Sequence, residues 1–325
     1  AGRGCGGEER MSRVLVTGAG GFVGSNLLNT LSARGIDAVG FDVRRGALAD
    51  GATMVDGSIL NRRALGDAMR GVEVVVHLAV SNLRTSISDP AFNVKVNVEG
   101  TAHVLEAARE SGVRKVVYPS ASSVYGPPQS LPVSEDAPKS PSTVYGVGKY
   151  AAEDLVRVYQ TMHDLEYFVF RFANVYGPLQ HVSTGSLVPV LLDRMHHSKP
   201  VFVHGDGSQT LGDFVFVEEV ADFVSTVVQR PDLANQTVNM GSGRQSRISE
   251  VVELCARTLG VDPVIEHRPQ ESGERLDFQA DMTLCREVFG RAPSTALPEG
   301  LAKTVRWFEE SVWAAGVASP EDQAT

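Results

Sequence analysis

The sequence predicts an α/β fold built on a doubly wound parallel sheet, with a smaller α/β lobe on its C-terminal side. Three observations predict it. Val14-Leu15-Val16-Thr17 is a short β-branched run that leads through a glycine-rich turn into a periodic apolar segment, the pattern of a buried strand and a helix. Further strand-like runs at 37–42, 53–55, 115–118 and 167–172 alternate with helical patterns at 62–70, 90–111 and 145–162. Residues 72–80 are almost unbroken apolar sequence between polar neighbours, which predicts a central strand buried on both faces.

The first of these elements also carries a functional signal. A strand, a glycine turn and a helix N-terminus gather backbone N–H groups and the helix dipole at one spot, which suits an anion. Gly18 allows the tight turn, Gly21 lets a pyrophosphate approach the backbone, and Gly24 lets the helix pack closely on the strand. The spacing is G-x-x-G-x-x-G rather than the more common G-x-G-x-x-G. The second strand ends in Asp42, roughly 20 residues past the glycines, where a ribose-binding carboxylate belongs. Its charge accepts hydrogen bonds from a ribose diol and repels a 2′-phosphate, which favours NAD over NADP. Arg44 and Arg45 follow and pull the other way. Residues 11–175 are therefore expected to form a Rossmann NAD-binding domain.

Past residue 175 glycine and proline become frequent, and short strands mix with helical patterns at 218–229, 249–259 and 301–313. Residues 176–315 are expected to form the substrate lobe, with a possible return of the chain into the first domain. Residues 1–10 read as a disordered leader or upstream remnant, and 316–325 as a fraying tail. The 325 residues carry a net charge of −9 and no basic block, so nucleic acid has no electrostatic foothold. No apolar run nears the length of a membrane span. Cys5, Cys255 and Cys285 have neither metal nor disulfide spacing, which points to a reducing, cytoplasmic setting.

The second functional signal is Tyr145-Gly146-Val147-Gly148-Lys149. Residues four apart share a helix face, and an ammonium beside a phenol favours phenolate, which would lower the Tyr145 pKa. Tyr145 then serves as a general base for a hydroxyl, and as an acid in reverse. Tyr118-Pro119-Ser120-Ala121-Ser122-Ser123-Val124-Tyr125-Gly126 follows a strand at its carboxyl end, where open α/β sheets place ligands, and offers hydroxyls to a reacting oxygen.

These features, with His77-Leu78-Ala79, Asn97-Val98-Glu99-Gly100-Thr101, Arg171-Phe172-Ala173-Asn174-Val175-Tyr176-Gly177-Pro178 and Gly205-Asp206-Gly207-Ser208-Gln209-Thr210, span about residues 12–313. Together they resemble the extended short-chain dehydrogenase/reductase family in its nucleotide-sugar epimerase/dehydratase branch. The resemblance implies a tightly held NAD that takes a hydride from a sugar carbon, usually C4, and later returns it. It gives Tyr145 the C4 hydroxyl proton and Lys149 the nicotinamide ribose. Gly18, Gly21, Phe22, Val23 and Gly24 would hold the pyrophosphate and Asp42 the adenosine ribose. Leu78, Ala79 and Asn97 would line the cofactor groove, with Phe172 near the nicotinamide. Asn174 and Arg275 match positions that hold the substrate's phosphates or sugar. Relatives pair as homodimers through a four-helix bundle, for which 90–111 and 145–162 are the candidates.

Departures from the family pattern narrow the reaction. Ala121 occupies the usual place of the catalytic hydroxyl, so Ser122 or Ser123 must substitute. Dehydrating members carry Asp-Glu where Ser122-Ser123 stand, and decarboxylating members carry Glu at the place of Ser123. Oxidation followed by re-reduction on the opposite face remains, which is epimerisation. Ketoreductase, dehydratase and decarboxylase on the same scaffold are the alternatives, and a non-catalytic NAD(P)-binding protein is a further one. Gly57-Ser58 replaces the Gly-Asp that reaches the adenine, leaving Ser58 and the adjoining Ile59 at that place. Leu211-Gly212 replaces the usual diphosphate arginine, so Arg275, Arg84 or Arg268 would have to neutralise the phosphates. Phe278 falls at a sugar-pocket position where bulk disfavours an acetamido group, which suggests a UDP- or dTDP-linked hexose or hexuronate.

Overall fold

The computed structural model describes residues 13–46, 52–204, 211–269 and 277–314. Seven parallel strands form the central sheet: β1 (Val14–Thr17), β2 (Ala38–Asp42), β3 (Thr53–Asp56), β4 (Val74–His77), β5 (Lys115–Ala121), β6 (Glu166–Phe172) and β11 (Gln236–Met240). The remaining strands, β7 (Asn174–Tyr176), β8 (Val201–His204), β9 (Leu211–Gly212), β10 (Phe214–Phe216), β12 (Ser246–Arg247) and β13 (Ile265–Arg268), pair two by two outside it. The central order is β11-β6-β5-β4-β1-β2-β3. The order reverses between β1 and β4, and such a switch point opens a crevice at the carboxyl ends of the strands. Val74, Val75 and Val76 of β4 are fully buried, as a strand with helices on both faces requires.

Helices α1 (Phe22–Ala33), α2 (Arg62–Ala68), α3 (Leu83–Ser88), α4 (Pro90–Val94), α5 (Gly100–Glu110) and α6 (Val144–His163) follow the first strands. The segment read as one helix at 90–111 is interrupted by a π-helical stretch, Lys95–Glu99. The wider turn tucks the Asn97 side chain inward, where it is 2% exposed. Further on lie α7 (Leu187–His196), α8 (Val217–Gln229), α9 (Ile248–Leu259), α10 (Thr283–Phe289) and α11 (Leu297–Trp307). The last helix begins four residues before the expected 301, because Pro298 in its first turn fits a helix start rather than a break.

The chain crosses back after residue 216. Helix α8 packs on α1, and β11 adds to the sheet beside β6. Val220, Phe223, Val224 and Val227 share one core with Leu27, Leu31 and Phe168. The smaller lobe has its own core, formed by Val188, Leu191, Leu192, Val201, Val251, Val252 and Leu301. Asp213, fully buried, ties the lobe to the sheet. Its carboxylate accepts Ser242 N–H and O–H at 2.7 Å, and Gly243 and Ala280 N–H at 3.0 Å.

Candidate active site

The glycine turn is shaped by contact as much as by conformation. Gly18 lies at φ +72, and a Cβ there would overlap the backbone of Leu78 and Ala79. A Cβ on Gly24 would overlap the Gly18 carbonyl, so helix and strand meet backbone to backbone. Helix α1 follows Gly21 with no side-chain cap and no acid in its first turn. The opening N–H groups of a helix lack intrahelical partners, so Phe22, Val23 and Gly24 present an uncapped, positively polarised end. Asp42 stands beside it: Oδ2 accepts the Gly20 N–H at 3.0 Å and Oδ1 the Arg44 N–H at 3.1 Å. Phosphate seat and carboxylate are thus adjacent, and the residues present fit a dinucleotide. Nearby, the Ser58 hydroxyl accepts Leu60 N–H, and Ile59 is buried against Gly100.

A hydrogen-bonded chain runs behind this seat. Thr101 donates to the Asn97 carbonyl, so His77 Nε2 donates to Thr101 Oγ1 at 3.0 Å, and Nδ1 accepts from Thr17 at 2.7 Å. Burial, helped by the Lys149 charge, holds His77 down at about 3, so this chain is built on a neutral imidazole. The Asn97 amide is consumed within the protein. It accepts Ser81 N–H and donates to Ser81 O and Asn93 Oδ1. Its place is thus to hold the loop after β4 that walls the groove.

Helix α6 carries Tyr145, Lys149 and Glu153 at four-residue steps along one face. Lys149 is buried. Its Nζ donates to the Pro119 carbonyl and lies 4.3 Å from the centre of the Tyr118 ring. Burial lowers it to about 7, with Glu153 opposing. The expected depression of the Tyr145 phenol is not found: burial pushes it up to about 12. The physical reason is that the cation is turned toward Pro119 and Tyr118, while the phenol has lost water.

Beneath them lies an ion pair that the sequence did not reveal. Arg171, 2% exposed, donates from Nε and Nη2 to the two Glu153 oxygens at 3.0 and 2.8 Å. Arg171 also reaches the Tyr125 hydroxyl, which donates to Asn239 Oδ1 at 2.7 Å. Although burial opposes it, Arg171 with Ser120 and Arg157 keeps Glu153 below the usual carboxylate range. The partners come from β6, α6, the Ser-rich loop and β11. The motifs holding Arg171 and Tyr125 were visible locally, but not their pairing with Glu153 and Asn239.

A cavity of about 360 Å³ opens above this base. It brings together Ala121, Ser122, Ser123, Tyr145, Phe172, Asn174 and Arg84. The Ser123 hydroxyl is buried without a hydrogen-bond partner. Asn174 is held from behind, its backbone and amide N–H both given to the Asp213 carbonyl. Gln180, missed in the sequence because the motif was followed only to Pro178, also lines the cavity. Phe278 does not. It is 5% exposed and stacks on Tyr125 with ring centres 6.0 Å apart. Arg268 sits on the Phe202 ring in the lobe, 3.3 Å from its centre. Arg275, the segment 205–210 and residues 1–10 and 316–325 lie outside the described residues, as does the Leu211 side chain. Among the described residues no His, Cys, Asp and Glu group could hold a metal.

A glycine turn at an uncapped helix start with the Asp42 carboxylate beside it, and a Tyr-x-x-x-Lys pair whose Tyr145 lines the cavity, are the features of a dinucleotide-dependent enzyme of the extended short-chain dehydrogenase/reductase type. Residues 14–241 match the NAD dependent epimerase/dehydratase family, and the chain belongs to it. It is 37% identical over 311 residues to a UDP-glucose 4-epimerase of Mycolicibacterium smegmatis, covering 91% of this chain and 98% of the relative. The fold superposes on the crystal structure of a Thermotoga maritima UDP-glucose 4-epimerase with UDP-glucose, with TM-score 0.87 and 28% identity, covering 92% of this chain and 99% of that one. It superposes equally on MoeE5 in complex with UDP-glucose and NAD, with TM-score 0.86 and 32% identity over 93% of this chain and 100% of that one.

Proposed function

We propose that this NAD-dependent enzyme is a nucleotide-sugar 4-epimerase acting on a UDP- or dTDP-linked hexose or hexuronate. One observation carries the reading. Tyr145 and the unpartnered Ser123 hydroxyl line the same cavity, and among the described residues no carboxylate lines it. Elimination of water needs an acid and a base placed there, and the wall offers serines instead. Proton transfer at one hydroxyl is what these groups support.

In this reading the pyrophosphate rests on the first turn of α1, with Gly18, Gly21, Phe22, Val23 and Gly24, and Asp42 takes the adenosine ribose. Ser58, Ile59, Leu78 and Ala79 wall the groove. NAD, when bound, supplies the acceptor for the C4 hydride and the donor for its return. Tyr145, in its phenolate form, would take the C4 hydroxyl proton at its Oη and give it back. Ser122 and Ser123 fix that oxygen by hydrogen bonds, and Asn174, braced by Asp213, orients the substrate. Lys149 holds the nicotinamide ribose and supplies positive charge near Tyr145 when protonated. Phe172 packs beside the nicotinamide, and Arg275 meets the substrate's phosphates.

The protein is further proposed to be a cytoplasmic homodimer. Cys255 and Cys285 are free and buried, with thiols pushed up to about 12, in keeping with a reducing compartment. Among the described residues no helix is long and apolar enough to cross a membrane. Exposed Val147, Val158 and Met162 on α6, with Phe92 and Val94 at α4, offer the apolar faces a four-helix bundle would bury. The deciding experiment incubates the protein with UDP-glucose, UDP-galactose and UDP-glucuronate without added cofactor and follows C4 stereochemistry by NMR. Interconversion is expected. Turnover only with external NAD(P)H would instead establish a ketoreductase, and no turnover of these sugars or of dTDP-glucose would reject an epimerase.

A further inference from the structure

We propose that Arg84 and the first turn of α7 form a clamp for an oxyanion of the substrate. The proposal rests on the nucleotide-sugar reading and deepens it. Arg84 leaves α3, on the sheet side of the cavity. Gly185, at φ +71, leads into α7 on the lobe side. A Cβ on Gly185 would overlap Nε and Cζ of Arg84, so the guanidinium rests on bare glycine backbone and joins the two lobes across the cavity.

The charges of this contact are unbalanced. Ser186 precedes α7 without giving it a side-chain cap, and the first turn of this ten-residue helix contains no acid. Gly185, Ser186, Leu187 and Val188 all line the cavity. An exposed cation therefore rests against the positive end of a helix dipole, a repulsion that an anion lying between them would relieve. Among the described residues Arg84 is the only permanently charged side chain on the cavity wall, and no carboxylate pairs with it. An oxyanion would accept from the guanidinium and from the helix N–H groups together.

A second observation points to the same ligand. Gln180 is 3% exposed, lines this cavity, and leaves its Oε1 without a hydrogen-bond partner. Buried amide oxygens of this kind are costly unless a donor reaches them. A hydroxyl of a sugar held by the clamp is such a donor. The clamp also supplies, through Arg84, a positive charge that Leu211-Gly212 do not.

A sugar nucleotide brings two oxyanions within reach, the diphosphate and, in a hexuronate, the sugar carboxylate. Binding of UDP, UDP-glucose and UDP-glucuronate to the wild-type protein, Arg84→Gln and Gly185→Ala, measured by calorimetry beside turnover of the two sugars, tests the proposal. Arg84→Gln is expected to weaken binding by roughly ten- to a hundredfold. Gly185→Ala, which displaces the guanidinium, should act in the same direction, and Arg84→Lys should recover part of the loss. A loss shared by UDP and both sugars supports the clamp with the diphosphate as its ligand. A loss confined to UDP-glucuronate supports it with the sugar carboxylate. Unchanged binding of all three ligands to an Arg84→Gln protein that melts like the wild type overturns it. If UDP binding falls while the wild type epimerises neither sugar, the reading as an epimerase of these UDP sugars fails and the clamp stands.

Discussion

Tyr145 is the residue at which binding and chemistry should separate. Tyr145→Phe removes the Oη proposed to carry the proton and leaves the ring that lines the cavity. Turnover is expected to fall by roughly 10²- to 10⁴-fold, with affinity for the nucleotide sugar retained. Steady-state kinetics and calorimetry on the same preparation check this, and undiminished turnover would remove Tyr145 from the mechanism. Glu153 poses the opposite case, a residue beneath the site whose loss is structural. Removing it leaves Arg171 charged, buried and unpaired, so Glu153→Ala should cost about 3–5 kcal/mol in urea unfolding. Replacing Glu153 and Arg171 together by methionine should cost less than the single change, because no lone charge remains. Phe278 shows where reading by position fails at this scale. Its place in the chain suggested the sugar pocket, yet the ring is spent on Tyr125 in the core.

Elements were legible where their physics is local. The apolar run of β4, the glycines before α1 and the four-residue steps of α6 each announce a shape through neighbouring residues. The tie between lobes was not legible, because Asp213 meets partners 29 to 67 positions away. The Glu153–Arg171 pair likewise joins two elements that only the finished sheet brings together. Nor does periodicity show the π-helical stretch at Lys95–Glu99, which shifts the phase of a helix whose overall pattern still looks regular. The outer stripe of α6 is legible in both sequence and structure: Val147, Val158 and Met162 recur at helical spacing and stay exposed. If that stripe is buried between protomers, Val158→Glu with Met162→Glu should convert a dimer to a monomer in sedimentation velocity. A wild-type protein that sediments as a monomer at micromolar concentration would count against the bundle.

At the scale of the whole molecule, acid stability should report on His77. Its folded pKa of about 3 lies below the ordinary 6.5 because the ring is buried. Between those values the unfolded chain binds a proton that the folded chain refuses, so stability falls as pH drops from 6.5 toward 3. The slope from this group approaches about 1.4 kcal/mol per pH unit. His77→Gln should lower stability at pH 7 and flatten the acid limb, as measured by urea titrations at pH 7, 6 and 5; parallel curves would show that another group sets it.

The return of α8 and β11 to the sheet has a consequence for synthesis. The ribosome releases the glycine turn, Asp42 and Tyr145 early, but the surface that covers α1 and the edge of β6 is encoded beyond residue 216. A nascent chain paused before that point exposes an apolar helix face and an unpaired strand edge, the features that invite association with other chains. Elongation through the smaller lobe is therefore a vulnerable interval for the central sheet, which closes only when a segment from much later in the chain arrives.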